Sequence, residues 1–414
     1  MATKNVSRGK TALMLIGLYL AYASAFTTNL VTPVTSLMLE DFANYPEPVI
    51  NFLISGATLF TLGTSFLVGI LAKYVSKRKL QIACTAIYSI GGLGMVFATK
   101  LPLFLAFRMC CGVGSGCAMI TIPGIICELW PEGRERTRYM SLMTTTGLVI
   151  AMIFSFFSGV IADRSSNWHN VFWLEIVAVF SFITAIFFVP ETPPEGKSNA
   201  VKNAEGGPAE KKKVNIPFLL VIIAGQFLMQ CLYSVMYYLS DLYVSQTGIG
   251  TASLTGLNLS VASASSAVLT LAATAMIMKL RRWTAPGTWL IAGLSFLVLG
   301  LFPNPIVFVT FCGTAAGFAT INYVYYQVKF TELAPPDKLS MFMTMNTFAS
   351  TVSMFLSPYV PSLFRVLFGA QNMKESFLWL GIVMLAITAI SILLIFIVRD
   401  EHDKPKPEAV ASGR

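Results

Sequence analysis

The chain has 414 residues, 55% apolar and only 12% charged, and its 29 Lys and Arg outweigh 20 Asp and Glu to give a net charge of +9. Soluble domains carry about twice that charged share, so the composition excludes a soluble enzyme and leaves a chain whose solvent is lipid. The basic excess is then a matter of topology, and a nucleic-acid partner is excluded with it.

A helix that crosses the hydrocarbon needs roughly 20 mostly apolar residues. Twelve segments qualify, at 11–38, 48–72, 79–99, 102–127, 138–162, 168–190, 215–240, 252–278, 285–302, 306–330, 338–366 and 375–398. The first shows no small-residue cleavage site before residue 38, which predicts a retained helix and not a removed signal peptide. On it, Tyr19, Tyr22, Phe26 and Asn29 share one helical face. Span four holds Arg108 roughly 6 Å deep by helical rise, where it either snorkels to the headgroups or faces the bundle. Glycines at 112, 114 and 116 predict close helix contact along the same span. Span six carries Glu175, either a coupling acid or a partner of Arg164, Lys100 or Arg108. Ionisable groups inside a bilayer are costly and mark pathways; beyond these two, only Glu128 and Asp241, at span ends, come near the hydrocarbon.

Residues 191–214, with Pro193-Pro194, Gly206-Gly207-Pro208 and Lys211-Lys212-Lys213, predict a flexible linker between a half at 1–190 and a half at 215–398, with a polar tail at 399–414. In span seven Gln226, Gln230, Tyr233 and Tyr237 fall on one face. Asn322 in span ten is followed by Tyr325 and Tyr326, and Asn346, Ser350, Ser353 and Ser357 line up in span eleven. Lipid offers such groups no partners, so they turn inward, either to line a cavity or to bond between helices. All seven cysteines lie within predicted spans, and the pair Cys110-Cys111 has no zinc-like spacing. No metal site and no cofactor is predicted.

The chain also repeats itself. Glu128-Leu129-Trp130-Pro131 returns as Glu332-Leu333-Ala334-Pro335, and Phe172-Trp173-Leu174-Glu175-Ile176-Val177 returns as Leu378-Trp379-Leu380-Gly381-Ile382-Val383. Parallel repeats of six spans meeting at a central site are a recurring plan of secondary transporters. With the N-terminus in the cytoplasm, all but five of the 29 Lys and Arg fall on cytoplasmic segments, the five being Lys100, Arg108, Arg164, Arg365 and Lys374. The positive-inside rule thus predicts both termini inside, in a plasma (inner) membrane.

Several local patterns resemble the major facilitator superfamily over residues 10–400. The stretch from Gly69 to Lys79 is similar to that family's G-x-L-a-D-r-x-G-r-R/K loop in Gly69, Leu71, Arg78 and Lys79. It departs from it at Lys73, where an Asp is usual, and at Ser76, where a Gly is usual. Arg108-x-x-x-Gly112-x-Gly114, Trp168 with Phe172, and Pro190-Glu191-Thr192-Pro193 also resemble family elements. The resemblance implies an all-α membrane fold of twelve transmembrane helices in two pseudo-symmetric six-helix halves, a monomer, and an Arg at 108 facing the cavity. It also implies a cytoplasmic gate at Gly69, Lys73, Arg78 and Lys79; with Lys73 in place of the acid, Glu128, Glu132 and Glu135 are left to supply carboxylates to the Lys73–Lys79 cluster. Span five has no Gly-Pro dipeptide of the kind that resembles an antiporter signature.

The expected activity is transport of a small amphipathic organic solute, an organic anion, by alternating access. The expected solute-binding residues are Arg108, Tyr19, Tyr22, Asn29, Gln226, Gln230, Tyr233, Tyr237, Asn322, Tyr325, Tyr326 and Asn346, with Glu175 and Asp241 as coupling candidates. A proton-coupled multidrug exporter is the alternative, and a non-transporting receptor on a carrier fold a further one. No catalytic constellation of His, Asp and Ser lies at one depth, so enzyme chemistry is not expected.

Overall fold

Inside a bilayer a helix satisfies its own backbone, and among the described residues the chain is helical with no strand. The structure is a computed structural model describing residues 8–23, 27–130, 134–165, 167–192, 216–333 and 339–397. Nearly all of the expected linker and the whole tail lie outside the described residues.

The spans in chain order are α1 (Arg8–Ala23, continued by Thr27–Val34 and Thr35–Asp41), α2 (Glu47–Leu71), α3 (Lys77–Phe97), α4 (Leu101–Leu129), α5 (Arg134–Arg164) and α6 (Trp168–Glu175 leading into Ile176–Phe188). The second set is α7 (Ile216–Thr247), α8 (Ala252–Leu280), α9 (Thr284–Leu301), α10 (Pro305–Leu333), α11 (Leu339–Leu356, continued to Phe368) and α12 (Met373–Ile397). Eleven are long and apolar enough to cross a bilayer, and α1 contributes a shorter apolar helix, Ala12–Tyr22. An even number of crossings leaves Arg8 and Ile397 on one face of the bundle, here called the terminal side; the opposite face is the far side.

Span one differs from the expected continuous helix. It tightens into a 3-10 segment over Thr27–Val34, which contains Pro33. Pro33 lacks the N–H that an α-helix needs, and the Thr and Val residues around it are stiff at χ1. A short α-helix, Thr35–Asp41, then begins anew and needs its own first-turn partners.

Within the first half α4 packs on α2 and α3, and α6 on α1 and α3; in the second, α9 packs on α10 and α12, and α8 on α10. The halves meet along α5–α8 and α2–α11. Glycines explain how closely α4 lies against its neighbours. A Cβ on Gly112 or Gly116 would strike the carbonyls of Ala57 or Thr61 on α2, and one on Gly114 would strike Tyr88 on α3. Backbones this close let Thr61 Oγ1 donate to the Gly112 carbonyl at 3.2 Å and Ser65 Oγ to that of Gly116 at 3.1 Å.

The duplication is visible in the packing. Phe104 and Phe172 meet with ring centroids 5.4 Å apart beside Trp168. In the second half Phe308, the mate of Phe104, and Phe377, next to Leu378 (the mate of Phe172), enclose the Tyr243 ring at 5.4 and 4.6 Å. The mate of Glu175 is Gly381, and here the packing exchanges bulk between helices. A Cβ on Gly92 of α3 would lie 2.9 Å from the Glu175 Cβ, whereas a Cβ on Gly381 would meet the backbone of Leu297 on α9. Glycine permits the close approach in both halves, to a side chain in the first and to a backbone in the second.

Candidate functional site

Between the halves lies a cavity of about 280 Å³. Its first-half wall is Ala57, Thr58 and Thr61 of α2 with Arg108, Ser115 and Met119 of α4. Its second-half wall is Gln230, Tyr233, Ser234, Tyr237 and Tyr238 of α7, closed by Thr351 and Met354 of α11. Helical spacing puts Gln230, Tyr233, Ser234 and Tyr237 on one face of α7, so the stripe becomes the wall. Aromatic rings, hydroxyls, one amide and two thioethers make a surface for an amphipathic molecule.

Arg108 is the charge in that wall. Only 4% exposed, it does not snorkel; Nη2 donates to the Ile54 carbonyl of α2 at 3.3 Å. Behind it Glu175, also buried, accepts from the Tyr88 hydroxyl at 3.2 Å, and both lie within the electrostatic field of Arg108. Glu175 is absent from the cavity lining. The site thus presents a guanidinium whose charge is partly balanced from within the protein.

The cavity is roofed on the far side. Thr58 Oγ1 and the Tyr238 hydroxyl share a hydrogen bond of 3.0 Å across the halves. Above it the halves cap each other's helices. Asp241 of α7 accepts from the Ser36 N–H at 2.8 Å and the Ser36 hydroxyl at 2.5 Å, in the first turn of Thr35–Asp41, and from Thr255 Oγ1 at 3.1 Å. Reciprocally, Asp163 at the end of α5 accepts from the Ser253 N–H at 3.0 Å and Thr251 Oγ1 at 2.6 Å, at the start of α8. Each carboxylate therefore satisfies orphan donors at a helix N-terminus in the opposite half, where the helix dipole favours negative charge. Outermost, Arg365 Nη1 donates to Glu47 at 2.8 Å and Ser362 Oγ to the same carboxylate at 2.6 Å.

Other residues expected at the site lie elsewhere. Tyr19 donates to the Tyr139 carbonyl at 3.2 Å inside the first half, and Tyr22 lies within electrostatic reach of Tyr323 on α10. The Asn29 side chain lies outside the described residues. Gln226 sits one turn below the wall and donates to Ser350 Oγ at 3.2 Å, and Asn346, on the same face of α11, is fully buried. Asn322 donates to Thr288 Oγ1 at 2.6 Å, and Tyr325 and Tyr326 pack with Leu219, Ile222 and Phe330. Tyr19, Gln226 and Asn322 thus bond to neighbouring helices, the interhelical alternative for a polar stripe, whereas both polar atoms of the Asn346 amide are buried without a partner among the described residues. Thr58, Thr61, Ser115, Ser234 and Tyr238 were not foreseen; helical Thr and Ser bond back to the fourth residue before them, as Thr61 does to Ala57, and so leave little trace in sequence.

The profile described as Major Facilitator Superfamily matches residues 15–275 and 249–414. The chain belongs to the major facilitator superfamily. Among curated relatives, a putative metabolite transport protein, YwtG, of Bacillus subtilis is 26% identical over 147 residues, covering 35% of this chain and 30% of that protein. The arabinose-proton symporter of Escherichia coli K12 is 27% identical over 151 residues, covering 36% and 30%. The chain thus spans about a third of the length of such relatives. Among solved structures, a bacterial homologue of the human lysosomal transporter Spinster, inward-facing and unoccupied, superposes with a TM-score of 0.74 at 14% identity, covering 94% of this chain and 97% of that one. The inward-open xylose transporter XylE of Escherichia coli gives 0.74 at 13%, covering 95% and 98%.

The departures from the superfamily loop have local explanations. Ser76 is the N-cap of α3, its Oγ accepting the Lys79 N–H at 3.4 Å. Lys73 is exposed, and a Cβ on Gly69 would meet nothing, so neither is held by packing. Arg78 Nη2 donates to the Ile186 carbonyl of α6 at 2.7 Å. The carboxylate of Glu128 goes to Lys77, which lies buried with its stem over Gly124. Breaking a buried pair strands its partner, so Glu128→Gln is expected to destabilise the protein by about 3 kcal/mol and Lys77→Met, which strands the less buried partner, by less. Detergent-solubilised melting curves of both variants check the order.

Proposed function

We propose that the chain carries a small organic solute bearing an anionic group across the membrane by alternating access, its far side facing outward and its termini lying in the cytoplasm. The observation that carries this reading is Arg108, a guanidinium in a cavity otherwise walled by tyrosines, hydroxyls, one amide and methionine. Buried donors in fixed positions recognise a carboxylate or sulfonate strongly because little water competes. The aromatic wall takes the solute's apolar body. Rocking of the halves about α5–α8 and α2–α11 would exchange the far-side closure for a terminal-side one.

Both coupling candidates stand away from the cavity lining, Glu175 behind Arg108 and Asp241 in the far-side roof. A proton acceptor in direct competition with the solute is not among the residues lining the cavity, which favours uniport or anion exchange over proton-driven export. The relatives' names favour a second reading, proton-coupled uptake of a neutral sugar-like metabolite, in which Gln230 and the tyrosines meet hydroxyls. Flux into proteoliposomes with and without a pH gradient decides between them: uptake that depends on the gradient rejects the first reading. A thermal-shift screen of the purified protein against organic acids, bile-salt-like amphiphiles and neutral sugars identifies the class. Because Glu175 offsets the charge of Arg108, Glu175→Gln is expected to tighten binding of an organic acid about tenfold. Unchanged affinity in the same titration would show that the carboxylate is not felt at the site.

A further inference from the structure

A second cavity, of about 220 Å³, lies between the halves on the far side of the first. Leu39, Glu47 and Asn51 form one wall, and Gln246, Ser362 and Arg365 stand among the residues opposite. Its polar lining is as dense as that of the central cavity, and its rim carries the exposed Glu47–Arg365 pair. Only Arg365 Nη1 is engaged by Glu47, leaving other N–H donors of the fork to reach into the cavity, while Ser362 holds the Glu47 carboxylate independently.

The two cavities are stacked, and Ile54 stands between them. It lines the outer cavity, packs in the core of the second half beside Tyr238 and Leu239, and gives its carbonyl to Arg108. Among the described residues it is the single first-half member of that core cluster. The group that would read the solute in the central cavity is therefore bonded to the residue that blocks the way outward.

We propose that the outer cavity is a second solute site on the translocation path, an antechamber that takes the solute's anionic group on Arg365 and is divided from the central site by Ile54, a plug between the two. The choice of an anionic solute rests on the function proposed above; the division by Ile54 does not. A solute engaging Arg365 draws it from Glu47 and loosens the outermost tie between α2 and α11.

The test needs no knowledge of the natural solute. Cys110 and Cys127, the two native cysteines that are not fully buried, are replaced by serine, and single cysteines are placed at Asn51 in the outer cavity or Ser234 in the central one. Sealed vesicles of known orientation are then treated from the far side with sulfonatoethyl methanethiosulfonate or its trimethylammonium counterpart. The cysteine of Asn51→Cys should react about tenfold faster than that of Ser234→Cys, and Ile54→Ala should remove the difference. The anionic reagent should outpace the cationic one at Asn51→Cys by about fivefold, and Arg365→Gln should erase that preference. Should Asn51→Cys fail to reach the membrane, Leu39→Cys on the same wall asks the same question. Equal labelling at both depths with Ile54 present overturns the plug, and a sealed outer cysteine overturns the antechamber. A charge preference indifferent to Arg365→Gln overturns anion capture there, and leaves the central site to its own test at Arg108.

Discussion

Arg108→Ala is expected to abolish stabilisation of the purified protein by organic acids while leaving stabilisation by neutral ligands nearly intact. A hydrogen bond to a charged group is worth about 1.5–3 kcal/mol, so anion affinity should fall on the order of 10- to 100-fold. The scaffold should survive, because the bond from Arg108 to Ile54 goes to a carbonyl within the regular helix α2. Arg108→Lys keeps the charge but loses the planar fork, and should fall between wild type and alanine. Thermal-shift titrations of the three proteins decide the matter. Equal loss for charged and neutral ligands would make Arg108 a structural residue and remove the main support for an anionic solute.

Asp241→Ala is expected to have the largest effect on conformation. Three donors from α1 and α8 converge on this carboxylate, which is only 2% exposed, and the first two open a helix belonging to the other half. Removing it should shift the equilibrium away from far-side closure by about 3 kcal/mol, on the order of a hundredfold in population. Asp241→Asn keeps one acceptor oxygen and should lose about half as much. Asp163→Ala, at an exposed site, should cost about 1 kcal/mol, an ordinary cap. Spin-label distances between the far ends of α1 and α7 report the shift directly. An unchanged distance distribution in Asp241→Ala would show that the reciprocal caps follow closure and do not hold it.

How much of this was legible in the sequence depends on the physical code involved. The twelve spans and the duplication were legible because lipid forces long apolar helices and because the stretches 128–131 and 172–177 recur in the same order at 332–335 and 378–383. Arg108 was legible through the glycines that follow it, which the close approach to α2 and α3 requires. The polar stripes were only half legible. Gln226 and Gln230 lie one turn apart on the same face, yet Ser350 meets the first and the cavity the second. Periodicity reports which face is turned inward, not whether a neighbour is waiting there. The stripe on α1 is interrupted for another reason: Arg8–Ala23 is α-helical and Thr27–Val34 is a 3-10 helix, so a spacing of 3.6 no longer ties Tyr19 to Asn29. The reciprocal caps were hidden because each joins residues of opposite halves that no local pattern relates.

The reversed pairing of Gly92 with Glu175 and of Leu297 with Gly381 bears on how the two copies of an ancestral unit drifted apart. A Glu at 381 would be driven into the backbone of α9, and a Leu at 92 into Glu175, so each position excludes the residue that its mate carries. At that layer an acid behind a cavity arginine has room in the first half, and a backbone stands in its place in the second.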